Sequence, residues 1–106
     1  MPASSGSGDV FHAIADPNRR RLMDLLASGE RPVQELADDF DISLAAVSQH
    51  LGVLRDAGLV TSRPLGRQRL YRLQPAGLRV VDEWTARYRK FWQRRIRRLR
   101  TLLETK

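Results

Sequence analysis

Ile42-Ser43-Leu44-Ala45-Ala46-Val47-Ser48-Gln49-His50-Leu51-Gly52-Val53-Leu54-Arg55-Asp56-Ala57-Gly58-Leu59-Val60 is the stretch that decides the fold. Ser43 offers a short hydroxyl that accepts from the first free N–H groups of a helix, and Gly58 can adopt the left-handed conformation that ends one. The reading is a helix over Leu44 to Ala57. At 100° per residue Leu44, Val47, Leu51 and Leu54 share its inner face, while Ala45, Ala46, Gln49, Gly52 and Val53 point away, with Ser48 and His50 at the flanks. The outward face is therefore small and weakly polar.

Immediately upstream, Pro32 opens a shorter helix from Val33 to Phe40, in which Val33, Leu36, Ala37 and Phe40 repeat at helical spacing. Only Asp41 and Ile42 separate it from Ser43, so two short helices are joined by a tight turn. Further upstream, Asp16-Pro17 is a start signal and Gly29 a stop, giving a helix over Pro17 to Ser28 with Leu22, Leu25 and Leu26 inward. Arg19, Arg20 and Arg21 crowd its first turn against the favourable dipole sense, which predicts a nearby carboxylate or phosphate. Val10, Phe11 and Ile14 mark one more short helix. Residues 1–8 are Ser/Gly/Ala/Pro without periodicity and read as a disordered tail; residues 9–106 read as a single domain.

Downstream of Gly58 the period changes to two. Leu59 to Arg63 and Gln68 to Leu73, joined by Pro64-Leu65-Gly66-Arg67, form a β-hairpin whose register stays open because Leu70 and Tyr71 cannot both face the core. Pro75 ends the second strand. A long helix follows from about residue 76 to 104, with Leu78, Val81, Trp84, Tyr88, Phe91, Trp92, Ile96, Leu99, Leu102 and Leu103 near one broad stripe. The expected fold is mainly α with a β-hairpin wing: five helices in the order α-α-α-α-β-β-α, a winged helix-turn-helix.

Composition narrows the function. One hundred and six residues make one domain, and an apolar content of 42% with 29% charged residues fits a chain that folds in water. No apolar run approaches the ~18 residues of a transmembrane candidate, and the opening lacks a basic and an apolar export region, so a cytoplasmic protein is expected. There is no cysteine and only His12 and His50, which removes thiol chemistry and leaves metal chemistry poorly supplied. No nucleophile–base pair and no phosphate-cradling glycine loop suggests an enzyme. The carboxylates of Asp38, Asp39 and Asp41 diverge around a helix end and read as solvated charge, not a cation site. The net charge of +7 points to a polyanionic partner, but it is unevenly spread: residues 1–83 carry −1 and residues 84–106 carry +8.

The arrangement suits double-stranded DNA. Ala45, Ala46 and Gly52 let backbone approach the bases, Gln49 can bond adenine in a bidentate way, Ser43 and Ser48 can bond phosphate or base, and alanine methyls can touch thymine methyls. His50 is read as a phosphate contact, with a core-flanking hydrogen bond or a solvated ring as the alternatives. The hairpin adds Arg63, Arg67, Gln68 and Arg69, and Arg72, as a cationic ribbon for backbone or minor groove. The competing function is a winged-helix adaptor that docks proteins through its aromatic last helix without specific DNA binding. An adaptor, however, has no need of small outward residues at 44–53 or wing arginines at 63–72. RNA fits less well, because no exposed aromatic stacking platform is evident.

Four segments carry a resemblance over nearly the whole chain: IADPNRRRLMDLL (14–26), VQELA (33–37), ISLAAVSQHLGVLRDAGLV (42–60) and GRQRLYRL (66–73). The sequence resembles the ArsR-type winged-helix transcription regulators. The resemblance implies a homodimer that represses by occupying a palindromic operator, its own promoter among the candidates, with the first and last helices as dimer interface. It nominates Val10, Phe11 and Ile14 with Trp84, Tyr88, Phe91, Trp92, Ile96 and Leu99 for that interface; the long apolar stripe also exceeds what a small winged domain covers alone. Arg95 falls inside this stripe. Metal-sensing members place Cys where this chain has Leu36-Ala37-Asp38-Asp39, or His and carboxylates where it has Asp82, Glu83 and Glu104. The segment WTARYRKFW (84–92) is similar to the SdpR-like branch that does not sense metals. No cofactor is expected, and no inducing ligand can be read. Operator affinity should accordingly be indifferent to chelator and to zinc, copper, nickel or arsenite; a reproducible tenfold loss with one of them, about 1.4 kcal/mol, would reveal a sensor site.

Overall fold

The computed structural model describes residues 9–104. Its elements are α1 (Val10–Ile14), α2 (Pro17–Leu26), β1 (Arg31–Pro32), α3 (Val33–Ala37), α4 (Leu44–Asp56), β2 (Val60–Leu65), β3 (Gln68–Leu73), a 3₁₀ turn (Pro75–Leu78) and α5 (Arg79–Glu104). Five α-helices and a β-hairpin appear in the expected order, and the winged helix-turn-helix is the observed fold. The tail at 1–8 lies outside the described residues. Among the described residues no helix is long and apolar enough to cross a membrane.

Local chemistry sets the helix ends. Asp16 accepts from the N–H groups of Asn18 and Arg19 at 2.7 and 3.2 Å, and Pro17 occupies the first helical position of α2. Ser43 Oγ accepts from Ala46 N–H at 3.0 Å. At the other end of α4, Gly58 takes φ +79°, Gly58 N–H bonds Arg55 O and Leu59 N–H bonds Leu54 O at 2.9 Å. That pair of reverse bonds is a Schellman stop, and it turns the chain straight into β2 with Leu54 and Leu59 both fully buried. The wing closes at Gly66, whose φ of +61° with no positive φ at Arg67 matches a two-residue type II′ turn.

The core lies between α1, α2, α3, α4 and the base of the wing: Val10, Ala13, Leu22, Met23, Leu26, Leu36, Val47, Leu51, Leu54, Ala57, Leu59, Val60 and Tyr71 are buried in one cluster. The open question of the hairpin register resolves with Tyr71 inward and Leu70 only half-buried. A third strand joins the hairpin. β1 pairs antiparallel with β3, Arg31 opposite Tyr71 and Pro32 opposite Leu70, so the sheet order is β1-β3-β2 and β3 is its centre.

Several sequence expectations need correction. Leu44 is 47% exposed, not inward: it is the first residue of α4, and helical side chains lean toward the N-terminus, so it projects past the core's edge. α3 stops at Ala37, and tighter bonds from Asp39 N–H to Leu36 O and from Phe40 N–H to Ala37 O carry the chain on. Phe40 still packs against the core. α2 is shorter by two residues, at Leu26, and α5 begins at Arg79 because Pro75 starts a 3₁₀ turn instead. Val10 is buried in its own protomer's core and does not face outward with Phe11.

The 3₁₀ turn is pressed against the stop of α4. A Cβ at Gly77 would lie 2.3 Å from Gly58 O and 2.9 Å from Gly58 C, both backbone atoms that cannot swing aside. Gly77→Ala should therefore destabilise the fold by roughly 1–3 kcal/mol, the usual range for overpacking. Urea unfolding would read this as a lower midpoint at unchanged slope, and a midpoint equal to the parent's would show that the turn packs more loosely.

Candidate nucleic-acid interface

α4 lies across the core with Val47, Leu51 and Leu54 fully buried, which turns its opposite side to solvent. Ser43, Ala45, Ser48 and Gln49 are exposed and Ala46, His50 and Gly52 half-buried, whereas Val53, expected to point away, packs its half-buried side chain against the core instead. The predicted reading face is thus brought together on one helix, with small side chains where close backbone approach is required.

The wing residues do not behave alike. Arg63, Arg67, Gln68 and Arg69 are all exposed. Arg67 sits at the second position of the tip, and Arg69 Nε donates to Ser62 Oγ across the hairpin at 3.1 Å. Arg63 instead makes a two-pronged contact with Glu30, Nε to Oε2 at 2.8 Å and NH2 to Oε1 at 3.0 Å. The hydrogen bond from Arg63 holds the Glu30 carboxyl below its usual pKa, and Glu30 in turn raises that of Arg63. Arg63 is therefore engaged as a strut from the wing to the loop before β1. Its partner was invisible in the sequence, 33 residues away with no periodic signal.

Behind α4 lies a residue that sequence reasoning misjudged. Arg19 is 8% exposed, the one buried charged side chain among the described residues. Its Nε donates to Ala13 O at 2.6 Å and its NH2 to His12 O at 3.0 Å, while Arg20 NH1 donates to Ile14 O at 2.7 Å. These are carbonyls from the C-terminal turn of α1, the negative end of that helix. Arg21 lies over the Phe40 ring, 5.6 Å from its centroid. The expected carboxylate or phosphate is met only in part: Asp16 feels the charge of Arg19, but no hydrogen bond joins the two side chains. The usable signal was the close spacing of three arginines just after a helix end.

The third donor of Arg19 reaches the reading helix, with NH1 3.3 Å from His50 Nδ1. For Asp16, desolvation pushes the carboxyl up, but the N–H groups of Arg19 and Asn18 outweigh it and hold the pKa below its ordinary value, with the charge of Arg19, and that of His50 whenever its ring is protonated, acting in the same sense. A carboxylate lowered in this way stabilises the folded state above the usual carboxylate range, and that contribution disappears as pH falls through the lowered value.

On the far side of the molecule, α5 has no buried residue. Phe11, Trp84, Tyr88, Phe91, Trp92, Ile96 and Leu99 are all exposed, and Ile14 is half-buried against the core. Phe11 meets Trp84 edge to face with centroids 5.7 Å apart, and Trp84 meets Tyr88 in the same manner at 5.6 Å. α1 and α5 therefore share one apolar surface. Among the described residues no three His, Asp or Glu side chains are gathered as a metal-binding group.

Comparison with known proteins matches this geometry. Residues 16–62 match the family model described as bacterial regulatory protein, arsR family. The chain is 45% identical over 85 residues to the HTH-type transcriptional regulator Rv2034 of Mycobacterium tuberculosis, spanning 80% of this chain and 77% of that protein. It is 34% identical over 76 residues to the transcriptional repressor SdpR of Bacillus subtilis, spanning 72% of this chain and 84% of the repressor. An ArsR-like transcriptional regulator from Rhodococcus sp. RHA1 superimposes with a TM-score of 0.69 at 29% identity, covering 92% of this chain and 89% of the other. The chain belongs to the ArsR family of winged-helix transcriptional regulators, and is not an enzyme.

Proposed function

We propose that the protein is a homodimeric repressor that binds a palindromic DNA operator in the cytoplasm, reading bases with α4 and gripping backbone or minor groove with the wing. The observation that carries this is the face of α4: Ala45 and Gln49 stand in solvent opposite the fully buried Val47, Leu51 and Leu54, with the exposed Ser48 at the flank and the exposed Ser43 at the N-cap. A rigid helix whose outward side chains are this small fits the major groove, with Gln49 the amide for a base edge and Ser43, Ala45, Ala46, Ser48 and His50 completing the contact. Arg67, Gln68 and Arg69 serve the backbone, and Arg63 contributes less because Glu30 already holds it.

Dimerisation follows from the apolar surface shared by Phe11 and α5. Nine large apolar side chains from Val80 to Leu103 are exposed on that one helix, a patch of the kind that marks a protein interface. A second copy supplies matching aromatics by symmetry. A repressor's role is supported by the name of the Bacillus relative. Metal independence remains part of the reading: the chain has no cysteine and only His12 and His50.

Titrations of the parent, Gln49→Ala and Arg67→Ala against the selected operator and a scrambled duplex, each over a salt series, test the assignment. Gln49→Ala should cost roughly 1–3 kcal/mol on the operator and relax preference at one position per half-site. Arg67→Ala should weaken both duplexes alike and reduce the salt slope by about one or two units, since a dimer loses two cations. Sedimentation at micromolar concentration should give the dimer. If both variants bind as the parent does, the helix and wing are not the reading surface and the adaptor role takes precedence; a monomer would remove the dimer.

A further inference from the structure

We propose that the buried Arg19 is a positioning residue for DNA binding: it fixes His50 in the tautomer that carries its proton on Nε2 and so presents a neutral donor to a backbone phosphate. The inference rests on the proposed reading of DNA by α4 and adds to it a residue that never touches the ligand.

Donors and acceptors decide the tautomer. A guanidinium has only N–H donors and keeps its proton in proteins. NH1 of Arg19 faces His50 Nδ1 at 3.3 Å, so Nδ1 must be the acceptor, and a neutral imidazole with a bare Nδ1 carries its hydrogen on Nε2. Arg19 cannot turn away from the ring, because its other nitrogens are tied to Ala13 O at 2.6 Å and His12 O at 3.0 Å in a buried site. The opposite ring nitrogen makes no hydrogen bond within the described residues. None of their buried side-chain nitrogens or oxygens lacks a partner, so Nε2 reaches solvent. It does so from α4, adjacent in sequence to the exposed Ser48 and Gln49.

The outcome is an N–H held in place at the flank of the reading face. Phosphate contacts fix the register of a reading helix on the duplex, and this one would be made without a charge. That distinction is measurable. A cation that neutralises a phosphate displaces counterions and steepens the salt dependence, whereas a neutral donor adds affinity without changing the slope. The fixed tautomer also combines two of the three readings of His50 that the sequence left open: the ring uses one nitrogen for the core-flanking hydrogen bond and offers the other outward to a phosphate.

The test combines a spectroscopic and a binding measurement on the full-length protein. Long-range proton–nitrogen correlation NMR of the free parent should show His50 with Nε2 protonated and Nδ1 bare, and Arg19→Lys, which cannot span both carbonyls and the ring, should release it into a mixture of tautomers. His50→Asn keeps an oxygen acceptor for Arg19 and removes the outward donor. It should fold as the parent does and lose about tenfold in operator affinity, the order expected for one lost hydrogen bond per protomer, with an unchanged salt slope. A His50 proton on Nδ1, or operator affinity of His50→Asn equal to the parent's, would overturn the proposal. If His50→Asn alone is silent while Gln49→Ala and Arg67→Ala lose binding, this inference fails and the reading of DNA by α4 stands. If all three are silent, the reading itself fails.

Discussion

A single buried guanidinium holds the architecture together. α1 has only five residues, far too few to persist as an isolated helix, and its C-terminal carbonyls would be left without partners. Arg19 satisfies two of them from the first turn of α2, and Arg20 satisfies a third. Removing Arg19 would leave the buried Ala13 O unpaired, which costs more than the bond itself contributes in net terms, whereas His12 O also accepts from Ala15 N–H at 3.2 Å and Ile14 O is open to water. Through the same side chain α2 is referred to α4 at His50, so three helices share one reference point. Phe11 on α1 then meets Trp84 on α5, which carries that reference to the apolar surface on the other side of the molecule. The reading helix and the aromatic face are thus joined by a short chain of contacts, Trp84 to Phe11 along α1 to Arg19 to His50.

Charge is divided along the chain. The folded head and wing are nearly neutral, with acidic side chains at Asp38, Asp39 and Asp41 close in sequence to the reading helix, while the excess of arginine lies on α5. Within the head, the cations have different duties. Arg19 and Arg20 bind carbonyls, Arg21 lies against an aromatic ring, and Arg63 braces the wing through Glu30. Arg67 at the tip and Arg72 are left exposed on the wing, together with Arg69, whose Nε is shared with Ser62. A tally of basic residues alone would have treated all of these as equivalent contacts.

What could be read in advance was local. The cap at Ser43, the stop at Gly58 and the turn at Gly66 depend on residues within one or two turns of each other, so α4 was legible to within a residue and the second hairpin strand without error, while the first strand runs on two residues past the expected Arg63 to Leu65 and leaves only Gly66-Arg67 as the turn. The two faces of α4 followed from 3.6-residue periodicity, except at Leu44, where periodicity takes no account of a helix end, and at Val53, which packs against the core. What escaped depends on contacts across the chain. Alternation could not choose between Leu70 and Tyr71 because the choice is made by which face of β3 packs on the helices, where Tyr71 joins the core, and the two-residue strand at Arg31–Pro32 that pairs with β3 has no pattern of its own. The Arg63–Glu30 and Arg19–His50 contacts span 33 and 31 residues. Val10 illustrates the limit of carrying a role over by resemblance: it shares a short helix with Phe11 but faces the protomer's own core.

The central claim is that two copies, joined through α1 and α5, set two α4 helices on one face of a duplex. Hydroxyl-radical footprinting of the operator recovered from random duplexes tests it most directly. The account predicts two protected patches on each strand, related by a dyad and separated by about one helical turn, ~10–10.5 base pairs, or a multiple of it. A single undivided patch without two-fold symmetry, or uniform protection with no preferred site, would contradict it.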